Sequence, residues 1–496
     1  MTRKRTALSG FGWGCIAGTA LVALMYYAGV FLGVRPLPEL LNEPLLSLMP
    51  GFLFGFLIDT LQHAGKVIEE IGLIVAMILA LGALGALSAV ASLRWTSPYL
   101  PFAFAGLGWM VVCLVLLPIA GLGWLGLYDG PATPLIWAAL FAIYAVVLQF
   151  GGQPPSGVDL GRRRLLTTVP ISIAAVSLGA LALRLLPDWY RAIFNPPELG
   201  LRGISPNITP VQNFYVVSKN FGDPSVDGQS WRLQVGGMVD KSLNLSLRDL
   251  RALPATQEYV TLECVSNNVG GDLMSTGVFT GVRLRDLVAS ASPQANASWV
   301  SFKARDGYTE SLPLSLVVGA REILVAYELD GAPLPMAHGF PARILIPGHY
   351  GMKGPKWLDS IDLANQELRG YWEQQGWDHN AVVKTTARFD VPRDGDIIKL
   401  GAIELGGVAF AGTRGVSKVE YSTDEGRSWR SADFDPPLSD LTWVVWRAMW
   451  TPSSEGAYRL MVRAADAMGS AQDARNAPSY PSGASGYHTV QVNISG

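Results

Sequence analysis

Cysteine is almost missing from this chain: 496 residues hold three, and histidine is nearly as scarce with five. Such counts exclude a disulfide framework and any metal cluster built from several cysteines. The Cys-x-x-Cys-His run that attaches haem is absent, as is the His-Pro-Gly-Gly run of a b5-type cytochrome. The sequence thus carries no haem or iron–sulfur motif of its own. Charge is sparse too, at 16% of residues with a formal net charge of −2. That balance gives no reason to expect nucleic acid or an acidic substrate as partner. Apolar residues are plentiful, at 49%, and they are crowded toward one end.

Length alone suggests roughly three domains of about 150 residues each. Before about residue 187 the chain is mostly Leu, Ala, Gly, Val and Phe; afterwards it reads as ordinary globular sequence. Five apolar stretches approach the ~20 residues of a bilayer-crossing helix: 11–34, 71–93, 100–120, 134–150 and 165–186. A sixth, 45–61, is short and holds Pro50 and Asp59, which reads as an interfacial or re-entrant helix. With five spans, Arg3-Lys4-Arg5, Arg94 and Arg162-Arg163-Arg164 share one side. The positive-inside rule makes that side cytoplasmic, so everything after Pro187 lies outside the cytoplasmic membrane. His63 is the one histidine in this half, and an intramembrane haem usually takes paired axial ligands. The helices therefore read as an anchor in the lipid bilayer. Gly161-Arg162-Arg163-Arg164-Leu165-Leu166 resembles a twin-arginine export signal, with Gly161 and Leu165 where that pattern prefers Ser and Phe. A plain positive-inside anchor accounts for the same residues.

From about 204 to 367 short strands, turns and a few helices alternate. WRLQVGGMV and ASWVSFKA read as strands, SLRDLRALP and GVRLRDLVAS as short amphipathic helices, and RILIPGHYG as a strand entering a glycine turn. The fold class is thus α+β here. Cys15 and Cys113 lie in apolar runs, which leaves Cys264, in TLECVSNNVGGD, alone in a large polar region. Three uses are open to it. It is a buried small hydrophobe, a nucleophile served by His338 or His349, or a metal ligand. A single cysteine suffices only for a metal that arrives with its other ligands attached.

At this point the chain resembles the sulfite oxidase family of molybdopterin enzymes, across nearly all of 204–496. Thr261-Leu262-Glu263-Cys264-Val265-Ser266-Asn267 is similar to the family's metal-cysteine motif. ITPVQNFYVVSKN, with Asn213, Phe214 and Tyr215, looks like its first cofactor loop, and RDGYTESLPL places Asp306 at a pterin contact. In HGFPARILIPGHYGMKGPKWLDSIDL, His338 and Arg343 fall on cofactor-binding positions and Gly354-Pro355-Lys356 on the phosphate contact. The chemistry agrees, since a phosphate dianion needs guanidinium or ammonium donors and backbone N–H groups. From the residues alone, Asp306 is equally a turn residue, Arg343 a surface charge and Lys356 a packed edge. The resemblance implies a molybdenum–molybdopterin cofactor bound through Cys264.

Two departures stand out. Sulfite-oxidising members carry an arginine in the first loop, where this chain has 217–219 and only Lys219 offers charge. Their tyrosine after the Lys-Trp step falls here on Trp377, which cannot exchange a proton as a phenol does. Lys219, His349, Trp377 and His379 are the expected pocket residues. From about 385, alternating strands separated by Asp-Glu-Gly and Pro-Ser-Ser-Glu-Gly turns suggest an immunoglobulin-like β-sandwich. It resembles the family's dimerisation domain, so a homodimer is implied.

The expectation is thus a multi-domain protein: a helical anchor over 1–187, a molybdopterin-binding domain over 188–384 and a sandwich over 385–496. It transfers an oxygen atom to or from a small oxo-anion or an S- or N-oxide, and passes electrons to an external carrier such as a cytochrome or a membrane redox protein. The rivals are a cysteine-dependent hydrolase and a non-catalytic membrane-anchored receptor.

Overall fold

The structure is a computed structural model that describes residues 3–32, 34–49, 53, 57, 64–128, 130–152, 203–220, 223–320 and 322–496. The chain divides into two compact units, taken separately below.

The first unit is helical because its apolar runs contain almost nothing that must stay wet. Among the described residues its long helices are Arg3–Leu32, Leu37–Leu48, Ala64–Ala91, Leu100–Val111 and Thr133–Gly152. The fourth continues through a π-turn, Val112–Leu116, into Leu117–Ile119. Three of the described helices are long and apolar enough to cross a membrane: Arg3–Gly29, Ile68–Ala91 and Leu100–Ile119. Among the described residues, three of the five expected spans are found, at 11–34, 71–93 and 100–120. The apolar part of the next helix, Thr133–Gln149, is shorter, and 165–186, with its twin-arginine-like start, lies outside the described residues. Most of 45–61, expected as an interfacial or re-entrant helix, lies outside the described residues, and a helix precedes it at Leu37–Leu48 with Pro44 inside. The first and third helices pack through glycine. A Cβ on Gly85 would stand 2.6 Å from Gly10 O and 2.7 Å from Gly14 Cα. Small residues let helix backbones approach this closely where lipid offers no hydrophobic drive. Trp137, Tyr144, Leu21 and Leu117 form the buried centre of the unit.

The second unit is built on four sheets. The first has the order β2-β1-β10-β5-β6, with β1 Arg232–Gly237, β2 Leu243–Ser246, β5 Trp299–Ala304, β6 Thr309–Pro313 and β10 Leu358–Ala364. Only its β1–β10 pair is parallel. The second runs β3-β4-β7-β8, with β9 also on β7. Its strands are β3 Thr256–Glu263, β4 Met274–Arg283, β7 Leu324–Leu329, β8 Ala332–Pro333 and β9 Arg343–Leu345. The Leu-Arg-Asp-Leu steps form helices at Leu247–Arg251 and Leu284–Ser290, as their spacing predicts. The former starts in a capping box, Asp249 N donating to Ser246 Oγ and Ser246 N to Asp249 Oδ2. Trp231, Phe302, Trp357 and Ile361 fill one core; Phe214, Leu262, Phe279 and Leu345 fill a second under the first loop.

The remaining two sheets face each other across one shared core. One is β11-β13-β17-β16: Thr386–Val391, Ile403–Phe410, Val444–Trp450 and Asp433–Phe434. The other is β12-β19-β18-β14-β15: Ile397–Lys399, His488–Ser495, Gly456–Asp466, Val416–Ser422 and Arg430–Ser431. Phe389, Leu405 and Trp446 from one sheet meet Tyr421, Val462 and Val492 from the other. No cysteine pins this sandwich, and the three cysteines of the chain are free.

Candidate active site

Strand β3 ends where its ladder with β4 stops, at Glu263 opposite Met274, and Cys264 is the next residue. It is 8% exposed and lies outside the clusters around Trp231 and Phe214. Its N–H donates to Leu273 O, its carbonyl accepts from Asn267 N, and its Sγ lies 3.0 Å from Ser266 Oγ. Asn267 braces the loop, donating to Glu263 Oε1 at 2.9 Å and accepting from Leu273 N at 3.0 Å. Burial pushes the thiol up from its ordinary value, while the Ser266 hydrogen bonds and the charge of Lys356 pull it back. Glu263 is pushed up to about 7 by burial, against the Asn267 hydrogen bond and the charge of Arg388.

The first loop is tied to β4 next door. Thr276 N donates to Thr209 Oγ1 and Tyr215 N to Ser275 Oγ. Phe214 follows the 3₁₀ turn Val211–Asn213, is buried, and meets the His338 ring edge-on at 5.3 Å between centroids. The Tyr215 phenol is pushed up by burial and by nearby Cys264, and pulled down by Arg343. Its oxygen comes so near Gly351 that a Cβ there would lie 2.8 Å away.

Three cations gather around these residues. Arg343, on β9, is 6% exposed, and its hydrogen bonds are two long ones to carbonyls, 3.4 Å to His338 O and 3.5 Å to Gly354 O. Its Nε has no partner, and no carboxylate of the described residues meets it. Lys356 donates to Ser218 Oγ at 2.6 Å and Ala337 O at 2.9 Å, 4.3 Å above the Trp357 ring. Burial and these two charges lower His338 to about 4, so it is neutral. Lys219, 5% exposed, sits 5.0 Å over Tyr371. Asp306, in the β5–β6 turn, accepts from Tyr308 N at 3.0 Å. Burial raises it, while the charges of Lys219 and Lys356 act the other way. Gly354 must lack a side chain, because a Cβ would stand 2.7 Å from Ile344 O.

The sequence thus brings Cys264, Tyr215, Asp306, Lys219, His338, Arg343 and Lys356 into one neighbourhood. Asn213 caps that loop's turn through Pro210 O, and Pro355 O accepts from Ile344 N. Three expected pocket residues lie in other company. His349 Nδ1 is 3.4 Å from Pro347 O, and burial lowers its pKa. Trp377 packs on Tyr480 at 5.3 Å with its indole N–H unpartnered. His379 Nδ1 contacts Glu367 Oε1 at 3.0 Å and Glu373 Oε1 at 3.4 Å. A buried triad escaped the sequence reading: Lys353 Nζ bridges Glu310 at 2.7 Å and Glu373 at 2.6 Å. The hydrogen bond of Cys264 goes to a serine, not to a histidine, and its thiol is raised; an activated nucleophile needs the opposite.

The geometry tests whether a phosphate-bearing pterin fits. A buried guanidinium without an anion is unfavourable by several kcal/mol, and Arg343 has open donors beside Lys356 and a glycine-lined backbone. A phosphate dianion satisfies those donors. A thiolate at the end of β3 supplies the soft ligand. The residues fit the group.

Comparison with known proteins agrees. The family described as "Oxidoreductase molybdopterin binding domain" matches residues 220–372, and "Mo-co oxidoreductase dimerisation domain" matches 378–494. Mitochondrial sulfite oxidase of Mus musculus is 29% identical over 318 residues, 55% of this chain and 58% of that protein. Sulfite oxidase of Arabidopsis thaliana is 30% identical over 287 residues, 48% of this chain and 72% of the relative. The chain thus spans under two thirds of the length of its mammalian relatives. The crystal structure of the sulfane dehydrogenase SoxCD from Paracoccus pantotrophus superposes with a TM-score of 0.51 at 20% identity, covering 59% of this chain and 82% of that one. That likeness speaks for the fold.

Proposed function

The chain belongs to the sulfite oxidase family of molybdopterin-dependent oxidoreductases, and from that premise we propose that it transfers an oxygen atom to or from a small oxo-anion or an S- or N-oxide. Buried Arg343 carries the reading, because with an unpartnered Nε and no carboxylate it leaves a demand for an anion. When bound, the molybdenum–molybdopterin cofactor supplies two-electron redox chemistry and the oxygen atom exchange.

The chain's own residues do the holding. Cys264 would hold the metal as a thiolate, having given up its proton. Burial disfavours the ionised sulfur, and Ser266 and the charge of Lys356 act against that. Arg343, Lys356 and the backbone at Gly354 hold the phosphate, and Pro355 fixes the turn between them. Neutral His338 on Phe214, with Asn213, Tyr215 and Asp306, would contact the pterin. Lys219 supplies the positive charge that draws an oxo-anion, in place of the arginine this chain lacks. Without an arginine fork, sulfite is one candidate among several substrates.

In the same reading, the N-terminal helices anchor the enzyme in the cytoplasmic membrane with residues 188–384 and 385–496 on the extracytoplasmic side. The sandwich is of immunoglobulin-like type and pairs two copies. Electrons pass to a separate carrier, a cytochrome or a membrane redox protein.

The deciding experiment is elemental analysis of full-length protein from a host that makes the cofactor. About one molybdenum per chain is expected, lost in Cys264→Ser. Metal-free but folded wild-type protein sinks the proposal and leaves the receptor alternative. Turnover assays with sulfite and a panel of S- and N-oxides then choose the substrate.

A further inference from the structure

Arginine is seldom buried unless its donors are engaged, and Arg388 of β11 is 5% exposed. Its Nε donates to Asp390 Oδ1 at 2.9 Å, its Nη1 to Gly271 O at 2.6 Å and its Nη2 to Ser205 Oγ at 3.2 Å. Asp390 Oδ2 closes the ring by accepting from Ser205 N at 2.9 Å. One guanidinium therefore joins the sandwich to the glycine end of residues 264–272, the loop that begins with Cys264. Beside it the His488 ring fills the space that a Cβ on Gly270 would need, at a backbone with φ of +79°. Strand β3 is held from the same side. Thr261 N donates to Leu441 O at 3.0 Å, Trp443 N to Thr261 Oγ1 at 2.8 Å and Ser439 Oγ to Tyr259 O at 2.7 Å.

A loop with two adjacent glycines has the most backbone freedom to lose, whereas a metal ligand must be held at a narrow range of distances from the ion. We propose that Arg388 is a positioning residue for Cys264, fixing the loop through Gly271 so that the sulfur is presented to the metal. The C-terminal sandwich is then part of the redox site and more than a contact between subunits. The proposal rests on Cys264 being the metal ligand.

The test uses full-length holoenzyme: wild type, Arg388→Gln, Arg388→Lys and Cys264→Ser. Three quantities are read: pterin and molybdenum per chain, visible thiolate-to-metal charge-transfer absorption per molybdenum, and hydrogen exchange of amides 265–273 against those of β9. Arg388→Gln is expected to keep its pterin, because Arg343 and Lys356 are untouched. It loses most of the absorption per molybdenum, and amides 265–273 exchange about tenfold faster, the effect of one lost charge-assisted hydrogen bond. Amides of β9 stay as in wild type, and Arg388→Lys is intermediate. Folded Arg388→Gln with wild-type absorption and exchange overturns the proposal. Where Arg388→Gln does not accumulate, Arg388→Lys decides, because it keeps the buried charge but cannot hold Gly271 and Ser205 together; wild-type values there overturn it equally. A wild-type enzyme that holds molybdenum, yet shows no absorption removed by Cys264→Ser, sinks the ligand assignment itself and is told apart by that control.

Discussion

His488 is neutral for two reasons that act together. Its Nδ1 accepts a hydrogen bond from Phe389 N at 3.0 Å, which a proton on that nitrogen would abolish. Burial, with the charge of Arg388, lowers it from 6.5 to about 4, against the opposing pull of Asp390 and Asp394. The folded protein thus binds this proton less readily than the unfolded chain. Its stabilising contribution is complete above pH 6.5 and is lost as the pH falls from there toward 4. The size is of order 1–3 kcal/mol. Thermal melts of wild type between pH 7 and 4 should fall more steeply than those of His488→Asn, and parallel curves would refute the assignment. Legibility differs sharply at this scale. Cys264 could be picked out because the chain has so few cysteines, and Arg343 and Lys356 because they share one contiguous run with glycines. Arg388 and His488 could not be, since Arg388 reaches a carbonyl 117 residues away and no local pattern records such a contact.

At the scale of elements, the turn Gly351–Lys353 and the residues after it separate two lysines that the sequence presents side by side. Lys356, just before β10, turns toward Ser218 and the cation cluster. Lys353 ends the 3₁₀ turn and is buried between Glu310 of β6 and Glu373 of the short helix Tyr371–Gln374. The reading of Lys356 required only the Gly-Pro-Lys motif; the role of Lys353 depends on two carboxylates from other elements and stayed hidden. One ammonium cannot neutralise both acids. Glu310 is pushed up to about 8 by burial in spite of Lys353, whereas Glu373, though also desolvated, is held below its ordinary value by the Lys353 hydrogen bond. The triad therefore carries its negative charge on Glu373. Replacing Lys353 with Met leaves two buried carboxylates facing each other, and the expected loss is ~3–5 kcal/mol. Chemical denaturation of the purified protein measures it. A change below about 1 kcal/mol would mean that the acids simply take up protons together. The strands and short helices were readable from alternation and from the Leu-Arg-Asp-Leu steps. The number of spans was not, because apolar length alone does not say where a helix stops.

Across the whole molecule, separability differs between the two boundaries. The second unit holds its own cores around Trp231, Phe214 and Trp446, none of which draws on the N-terminal helices. Those helices close on Trp137 and Tyr144 from within their own sequence. Independent cores are what let domains fold alone. A chain of residues 203–496 should accordingly be soluble and folded and should hold molybdenum, while the full chain sediments with membranes. Ultracentrifugal fractionation with metal analysis of each fraction tests both statements, and a 203–496 chain recovered only as aggregate would contradict the first. The boundary near 384/385 is of another kind. Leu441, Trp443, Arg388 and His488 all bear on β3 or on the loop that follows it. Removing residues 385–496 strips Thr261 N, Thr261 Oγ1, Gly271 O and Tyr259 O of their partners, and each lost hydrogen bond is unfavourable by ~0.5–1.5 kcal/mol net. Such losses together approach the lower end of the net stability of a typical domain, ~5–15 kcal/mol. A chain ending at 384 is therefore expected to be recovered unfolded or without metal even in a host that makes the cofactor. Molybdenum at wild-type level in that truncated chain would show that the site stands without the sandwich.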